Sequence, residues 1–550
     1  MSTLWTGLWL LAVVGVTLGR AVSGDFVYDD LILVADNPAL ADPSDLVGLA
    51  TRPLYGVEQG YWRPLTAMVL AWGKALGGAP LLHAIALVLH AFVAFEVAML
   101  GRDLGLGPRV AAAWATLFAV HPAVVEPAAW IAAINDPLSV AAALLALRAH
   151  LGWRRQGAAG VPSAAFAWFA CALLAKENAL AILPVLLVLG PRARRVWGGY
   201  AAVLGSWALA RVSVLGLGLA GESVDIEGLT GIRLEVAGRL LARIPWPGVG
   251  TPFDAPTAGG VAAAGGFAAV VGLAALAVRT RSLPLRMAAT TGLAVVLPVA
   301  ARVEALGPYP IADRYVYLAI AVAVPALAVF LVARRTERAA LVAAGLLIGA
   351  SVPCTLLRVG VWASPQALVE AGLQQRPTDP RLHCMAGEIA FGDFQRTGAR
   401  ADLERARDAY LRAQQSLSVP LWNGPLAARV IEADVGLGLA YCALAAASGP
   451  DAVRAAVAAF ERLVAAFPRF GNAWLGLGVA RASSGRRFEA RLAFEKAVER
   501  MPRSFEARVN LGRVLALVGE SWRAREELEQ AAALRPGDPR VTELLQGLSR

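Results

Sequence analysis

The sequence predicts an all-α protein in two parts: a polytopic transmembrane helical bundle over residues 1–364 and a soluble α-solenoid of helical repeats over residues 365–550. Three observations predict it. The chain of 550 residues is 57% apolar and only 17% charged, far from the balance of a soluble protein. The apolar excess is confined to Ala/Val/Leu-rich runs between Leu4 and about Trp362. Beyond them, charged residues recur every few positions and a 34-residue pattern repeats.

A helix crosses the hydrocarbon core in about 20 residues, fewer where it is broken or buried in a bundle. On that criterion eleven spans are expected, near 5–22, 80–100, 109–123, 135–150, 163–175, 178–190, 196–218, 259–278, 287–302, 314–333 and 339–361. Lys and Arg accumulate in short cytoplasmic loops. Arg102 and Arg109, Arg148 with Arg154 and Arg155, Arg192 to Arg195, Arg279 to Arg286, and Arg334 to Arg338 fall in every second loop. The loops between them, 23–79, 124–134, 219–258 and 303–313, are longer or less basic and are expected outside, with the repeats. Two short helices meeting at Lys176-Glu177-Asn178 keep this parity, whereas one helix through 163–190 would break it. Residues 1–23 also fit a cleaved signal peptide, but they lack a basic start and carry Arg20 close to any cleavage site.

Basic clusters between apolar runs account for much of the net charge of +10 as membrane flanks, so nucleic acid is not an expected partner. The four cysteines, Cys171, Cys354, Cys384 and Cys442, have neither metal-ligand spacing nor disulfide density. Cys384 and Cys442 read as small core residues of the repeats.

In the C-terminal part, Trp474, Leu477, Gly478, Gly485, Ala490, Phe494, Ala497 and Pro502 are followed 34 residues on by Arg508, Leu511, Gly512, Gly519, Ala524, Leu528, Ala531 and Pro536. This is the tetratricopeptide (TPR) pattern: small residues let two antiparallel helices approach, large ones fill the groove, and proline ends the second helix. Looser copies stand at Gly438, Tyr441, Ala456, Phe460 and Pro468, and at Gly387, Phe391, Ala406, Tyr410 and Ala413, giving about four repeats. Their concave surface suits a protein partner or acceptor, or else self-association.

Ionisable residues near lipid are costly and point to function. Asp29 and Asp30 follow the first span, Arg63 sits in Tyr61-Trp62-Arg63-Pro64-Leu65, and His83 opens the second span. His121-Pro122 and Glu126 close the third span, Asp136 opens the fourth, Lys176 and Glu177 mark the short-helix turn, and Asp313-Arg314-Tyr315 open the tenth. Each has a bland reading: His90 as an interior hydrogen-bonded histidine, Asp136 as a helix cap, Lys176 and Glu177 as a structural pair, Arg314 as a snorkelling residue. Their collection on one expected face favours a joint site. The chemistry that fits is transfer from a lipid-borne substrate. Asp29 or Asp30 takes a proton from an incoming hydroxyl, while Arg63, His121, Lys176 and Arg314 neutralise a phosphate leaving group. No cofactor is firmly implied; Asp29-Asp30 alone is too little for a metal constellation, and a divalent metal is left open.

The strings Phe26-Val27-Tyr28-Asp29-Asp30, Asn37-Pro38, Tyr61-Trp62-Arg63-Pro64-Leu65-Thr66, His83, His90, Phe118-Ala119-Val120-His121-Pro122, Glu126, Ala129-Trp130 and Asp136 stand in one order. With Ala175-Lys176-Glu177-Asn178 and Asp313-Arg314-Tyr315-Val316-Tyr317-Leu318, they resemble the membrane-plus-tetratricopeptide O-mannosyltransferases. That family is similar to the wider C-type (GT-C) glycosyltransferase superfamily. The resemblance implies a catalytic acid at Asp29 or Asp30 and donor-binding residues among Arg63, His83, His121, Glu126, Asp136, Lys176, Glu177, Asp313 and Arg314. It also implies a polyprenyl-phosphate-linked sugar donor, with mannose as the sugar, and a protein Ser/Thr acceptor. Asn178 and Asp313 depart from the family's frequent Gln and Glu, which bears on the sugar. The Ala, Gly and Arg richness suggests a bacterial inner membrane with periplasmic repeats. The competing reading is a non-catalytic membrane-anchored scaffold; a transporter fits less well, since its charges would gather at the midplane.

Overall fold

The computed structural model describes residues 2–54, 61–189, 194–216, 229–245, 253–257, 259–417, 424–445, 449–535 and 537–548. Arg192 and Pro536, the side chain of Cys442, and parts of the expected loop 219–258 lie outside them. The described residues form helices and turns, with no strand, and divide into two compact units, Met1–Ala371 and Gly372–Arg550. The division falls within the helix Pro365–Gln375.

Among the described residues of the first unit, eight helical segments are long and apolar enough to cross a membrane: Thr3–Ser23, Pro64–Asp103, Ile131–Arg155, Arg194–Leu215, Gly260–Arg279, Leu283–Ala301, Tyr317–Arg334 and Glu337–Val361. A ninth candidate is bent by 61° between Pro108–Ala119 and Pro122–Ala129, where Pro122 supplies no N–H to continue the first helix. The remaining two of the eleven expected spans are the short apolar helices Ser163–Ala175 and Glu177–Leu189. At 13 residues, each is about 20 Å long against a hydrocarbon core of about 30 Å, so length supports eight or nine crossings. Lys176 between them is extended (φ −160°, ψ 137°), which excludes the continuous helix through 163–190.

The expected loop 23–79 is partly helical. Pro64, at the first helical position, starts a helix that breaks at Gly78 (φ 61°, ψ −148°), from which a second helical leg runs to Asp103. The two legs fold toward each other: a Cβ on Gly73 would stand 2.4 Å from the Leu82 side chain and 3.4 Å from that of Ile85. Before Pro64 the loop carries short helical turns at Leu31–Ala35, Pro38–Leu40 and Leu46–Thr51. Val34, Leu40, Leu49 and Leu54 pack on Ala67, Leu70 and Ala71 of the first leg and on Leu82 and Ala86 of the second. Buried Asn37 ties the loop together, donating through Nδ2 to the carbonyls of Leu33 (2.9 Å) and Leu54 (2.8 Å). Loop 219–258, expected to be irregular, contains the helix Leu229–Arg243.

The spans sort into central and peripheral helices. The apolar stretch of Ile131–Arg155 is 83% buried, whereas those of Arg194–Leu215 and Gly260–Arg279 are 6% buried and keep their apolar flanks outward, as lipid-facing helices do.

In the second unit, helix pairs follow one another: Pro380–Thr397 with Arg400–Ser416, Gly424–Ala445 with Pro450–Ala466, Gly471–Ser483 with Arg487–Arg500, and Phe505–Leu517 with Ser521–Leu534. Pro539–Gly547 follows the last pair. The repeat logic is visible at Gly478, where a Cβ would stand 2.4 Å from the Phe494 ring, and at Gly512 against Leu528. The turns inside these pairs use Gly485 and Gly519 at positive φ, 34 residues apart. Cys384 is buried in the first pair's core as a free thiol.

Candidate functional site

The first loop presents its two acids differently. Tyr28 takes a left-handed backbone (φ 54°), an uncommon conformation for a bulky residue, and turns the chain so that adjacent carboxylates diverge. Asp30 is fully buried: Oδ2 accepts from the Val27 amide at 3.1 Å and Oδ1 from the Ala132 amide at 2.7 Å. It holds the loop to the segment after the bent helix. Burial pushes its carboxyl up to about 7 against the opposing pull of those amides. Asp29 forms no hydrogen bond through its carboxylate among the described residues, and it lines a cavity of about 210 Å³. Burial raises its carboxyl above the ordinary range, while the nearby Arg314 guanidinium pulls the other way.

The cavity walls are largely aromatic. Tyr28, Trp130, Phe253, Tyr309 and Trp362 line it with Asp29, Arg314 and Leu368. Tyr28 lies against Trp130 and Phe253 (ring centroids 5.9 and 5.8 Å), Phe253 meets Tyr309 edge-on at 5.0 Å, and Trp130 stacks on Trp362 at 5.5 Å. Arg314 enters between aromatic rings, 5.2 Å from the Trp130 centroid and 4.8 Å from that of Tyr315.

Behind this wall stands a network of buried ions. Glu126 pairs with Arg314 through Oε1, while its Oε2 accepts from the Asp313 amide at 2.9 Å. Asp313 is clamped between Arg243 and Arg358; burial alone would raise its carboxyl, but the two guanidiniums together hold it below its usual range. Arg243 also binds Asp254 at 2.7 Å, and Arg239 pairs with the same acid, which anchors the segment carrying Phe253. His121 accepts from the Ala123 amide at 3.2 Å and lies near Asp313 and Arg358.

A second group sits beside the first. Arg63 donates to both oxygens of Glu177, at 3.0 and 2.5 Å, and stacks over Tyr61 at 4.4 Å. Lys176 contacts both oxygens of Asp136, at 2.6 and 2.7 Å, with both side chains buried. The groups are joined electrostatically, since Asp136 lies within Coulombic reach of Arg314, and Tyr61 of Tyr315. His83 is buried against Gly24 at the loop's start, near the backbone of Asp25 and Ala129.

The sequence-predicted residues therefore converge on one region in unequal roles. Asp29 and Arg314 face the cavity. Asp30, Glu126, Asp136, Glu177 and Asp313 accept hydrogen bonds or pair with cations here, and Arg63 and Lys176, like Arg314 with Glu126, are paired with carboxylates. Two bland readings fail: Asp136 lies inside the first turn of Asn135–Arg155 and does not cap it, and Lys176 and Glu177 pair with other residues, not with each other. His90 is an interior histidine, bonded to the Tyr317 hydroxyl (2.7 Å) and the Ala119 carbonyl (3.1 Å). Sequence reading missed Arg243, Asp254, Arg358, Phe253, Tyr309 and Trp362. Arg358 alone gave a signal, as a lone charge in an apolar span. The charges are not confined to this face. At the far end of the helix Pro64–Asp103, Arg148 binds Glu96 at 2.6 Å and Asp103 at 2.7 Å, and Arg155 binds Asp103 at 2.8 Å.

No protein-family model matches the chain. Among solved structures, YrrB, described as a TPR protein with an unusual peptide-binding site, is 17% identical (33% of this chain, 82% of YrrB, TM-score 0.23). The TPR protein TTC0263 of Thermus thermophilus is 15% identical (37% of this chain, 94% of TTC0263, TM-score 0.26). These scores are low, and the repeat architecture rests on the helix pairs themselves. Among curated proteins, the human protein O-mannosyl-transferase TMTC1 is 31% identical over 194 residues, 31% of this chain and 22% of that protein. The human protein O-mannosyl-transferase TMTC4 is 28% identical over 212 residues, 32% of this chain and 28% of that protein. The chain is thus similar to protein O-mannosyl-transferases over about a third of its own length, and the match spans less than a third of theirs.

Proposed function

We propose that the protein is an integral-membrane glycosyltransferase that moves one sugar, mannose, from a polyprenyl-phosphate donor to a hydroxyl of a protein Ser/Thr acceptor on the extracytoplasmic face. In this reading the membrane is a bacterial inner membrane and the repeats face the periplasm, where they hold the acceptor. The observation that carries the proposal is the contrast between the two first-loop acids. Asp30 is consumed by backbone amides, whereas Asp29 faces an aromatic cavity beside Arg314 with its carboxylate free of hydrogen bonds among the described residues.

The reaction is a direct displacement. Asp29 accepts the acceptor hydroxyl's proton as its oxygen bonds to the anomeric carbon; the carbon–oxygen bond to phosphate breaks, and the phosphate leaves with the electron pair. Asp29 suits the base, because burial raises its carboxyl toward the working pH, where proton transfer is most effective. Arg314, held by Glu126, supplies positive charge where negative charge develops on the departing phosphate. Aromatic walls suit a sugar, whose C–H faces pack on flat rings while its hydroxyls reach the polar groups between them. Arg63–Glu177, Lys176–Asp136 and the Asp313 clamp fix the surrounding helices.

The test is transfer of labelled mannose from polyprenyl-phosphate-mannose in membranes carrying the protein, its Asp29→Asn variant or its Asp30→Asn variant at matched expression. Loss of transfer in Asp29→Asn by about 10²–10⁴-fold supports a base at Asp29. Equal label with wild type and with Asp29→Asn overturns it, and a repeat domain still needed in cells would then favour the scaffold.

A further inference from the structure

We infer that Trp362, at the outer end of the last spanning helix, is a positioning residue for the transfer reaction, holding Trp130 and thereby the Arg314 guanidinium in place beside Asp29. The inference rests on the glycosyltransferase reading and adds to it a residue outside the ionisable set and outside every motif that marks the site in sequence.

Trp362 caps the helix Glu337–Val361, where that helix emerges toward Pro365–Gln375. A tryptophan leaving a span would be expected at the lipid interface with its ring exposed. This one is 3% exposed and stacks on Trp130 with ring planes 21° apart. Trp130 is in turn the ring over which Arg314 lies, so one indole touches both the cation and the end of the last span. The helix behind Trp362 is bolted down on the same side. Thr355 donates to the Val120 carbonyl at 2.7 Å, and Arg358 pairs with Asp313, the residue before Arg314. Two links thus run from one helix end to two consecutive residues: an ion pair to Asp313, and an aromatic contact through Trp130 to Arg314. The ion pair fixes the backbone; the guanidinium itself is held by Glu126, Tyr315 and Trp130, and Trp362 backs the last of these. Leu368, a few residues on, completes the cavity wall.

The titratable groups around Asp29 are Arg314 with its partner Glu126, the adjacent Asp30, and Tyr28 and Tyr309 in the cavity lining. Arg314 is the cation among them, and its approach favours the ionised carboxylate. If Trp362 keeps Arg314 close, removing the flat ring lets Arg314 withdraw, and the base then needs a higher pH to ionise.

The experiment compares the full chain with Trp362→Phe and Trp362→Leu in membranes, measuring labelled sugar transfer across pH. Expected are an acidic limb at the wild-type position for Trp362→Phe, which keeps a stacking ring, whatever its rate, and for Trp362→Leu a lower kcat with the acidic limb displaced upward by about one pH unit, as for loss of a nearby opposite charge. A Trp362→Leu variant whose limb stays in place, whatever its rate, overturns the inference and leaves Trp362 as packing. So does a Trp362→Phe variant displaced as far as Trp362→Leu. Failure of the underlying reading looks different, because wild type itself would then transfer no sugar from any polyprenyl-phosphate donor, and the inference falls with it.

Discussion

Asp29 and Asp30 share a peptide bond but not an environment: Asp30 accepts backbone amides from Val27 and Ala132 inside the protein, and Asp29 meets a cavity and the charge of Arg314. Removing each should have a different signature. Asp29→Asn should lower transfer by about 10²–10⁴-fold while leaving thermal unfolding of the detergent-solubilised protein nearly unchanged. Asp30→Asn should lower thermal stability by about 1–3 kcal/mol, the cost of an unsatisfied buried partner. Both are checked by parallel transfer and melting measurements.

The two acids also predict pH dependences of stated sign. Asp30 has its carboxyl raised from 3.8 to about 7, so between those values the folded state binds more protons than the unfolded one. Stability should therefore fall as pH rises from about 4 to about 7 and level off above, and Asp30→Asn should flatten that slope. Melting temperature against pH, compared between wild type and variant, reads it directly. The transfer rate should move the opposite way, since Asp29 must be ionised to act. Its acidic limb should lie above the ordinary aspartate value of about 3.9.

The buried Lys176–Asp136 pair should behave as a unit. Lys176→Met leaves an uncompensated buried carboxylate and should cost about 3–5 kcal/mol, as should Asp136→Asn with the ammonium left behind. Combining Lys176→Met with Asp136→Asn should recover much of the stability. If transfer returns with it, the pair is framework; if stability returns without transfer, Lys176 takes part in the chemistry.

In the repeat unit, Gly478→Ala should destabilise by about 1–3 kcal/mol, because the added methyl would meet the Phe494 ring. Gly485→Ala is strained for a different reason, its positive φ, and should also lower the unfolding temperature. Limited proteolysis of the full chain should then release fragments from this unit before the spanning unit is cut.

Much of this organisation was legible in sequence for physical reasons, and the failures are equally physical. The 34-residue spacing marks the helix pairs because every pair needs the same small-against-large contact, as Gly478 with Phe494 and Gly512 with Leu528. Apolar runs mark the membrane helices, but not which are long enough: Pro122 bends one candidate and Lys176 divides another stretch into short halves. The site's ionisable residues stood out because charge near lipid is costly. Their partners did not, since a pairing such as Arg243 with Asp313 or Arg63 with Glu177 depends on which helices lie side by side. Trp362 was invisible because a tryptophan at the end of a span reads as a lipid anchor until its neighbour is known. Nothing in the pair Asp29-Asp30 told the two acids apart; the left-handed turn at Tyr28 does.

The ion pairs at both ends of the helix Ile131–Arg155 have a mechanical consequence. Asp136 is held by Lys176 near one end, while Arg148 and Arg155 hold Glu96 and Asp103 at the other. A helix fastened at both ends resists sliding to follow a thinner or thicker bilayer. Mismatch is then taken up more readily by tilting of the little-buried Arg194–Leu215 and Gly260–Arg279 helices. Changes in lipid chain length would strain that periphery before the region around Asp29.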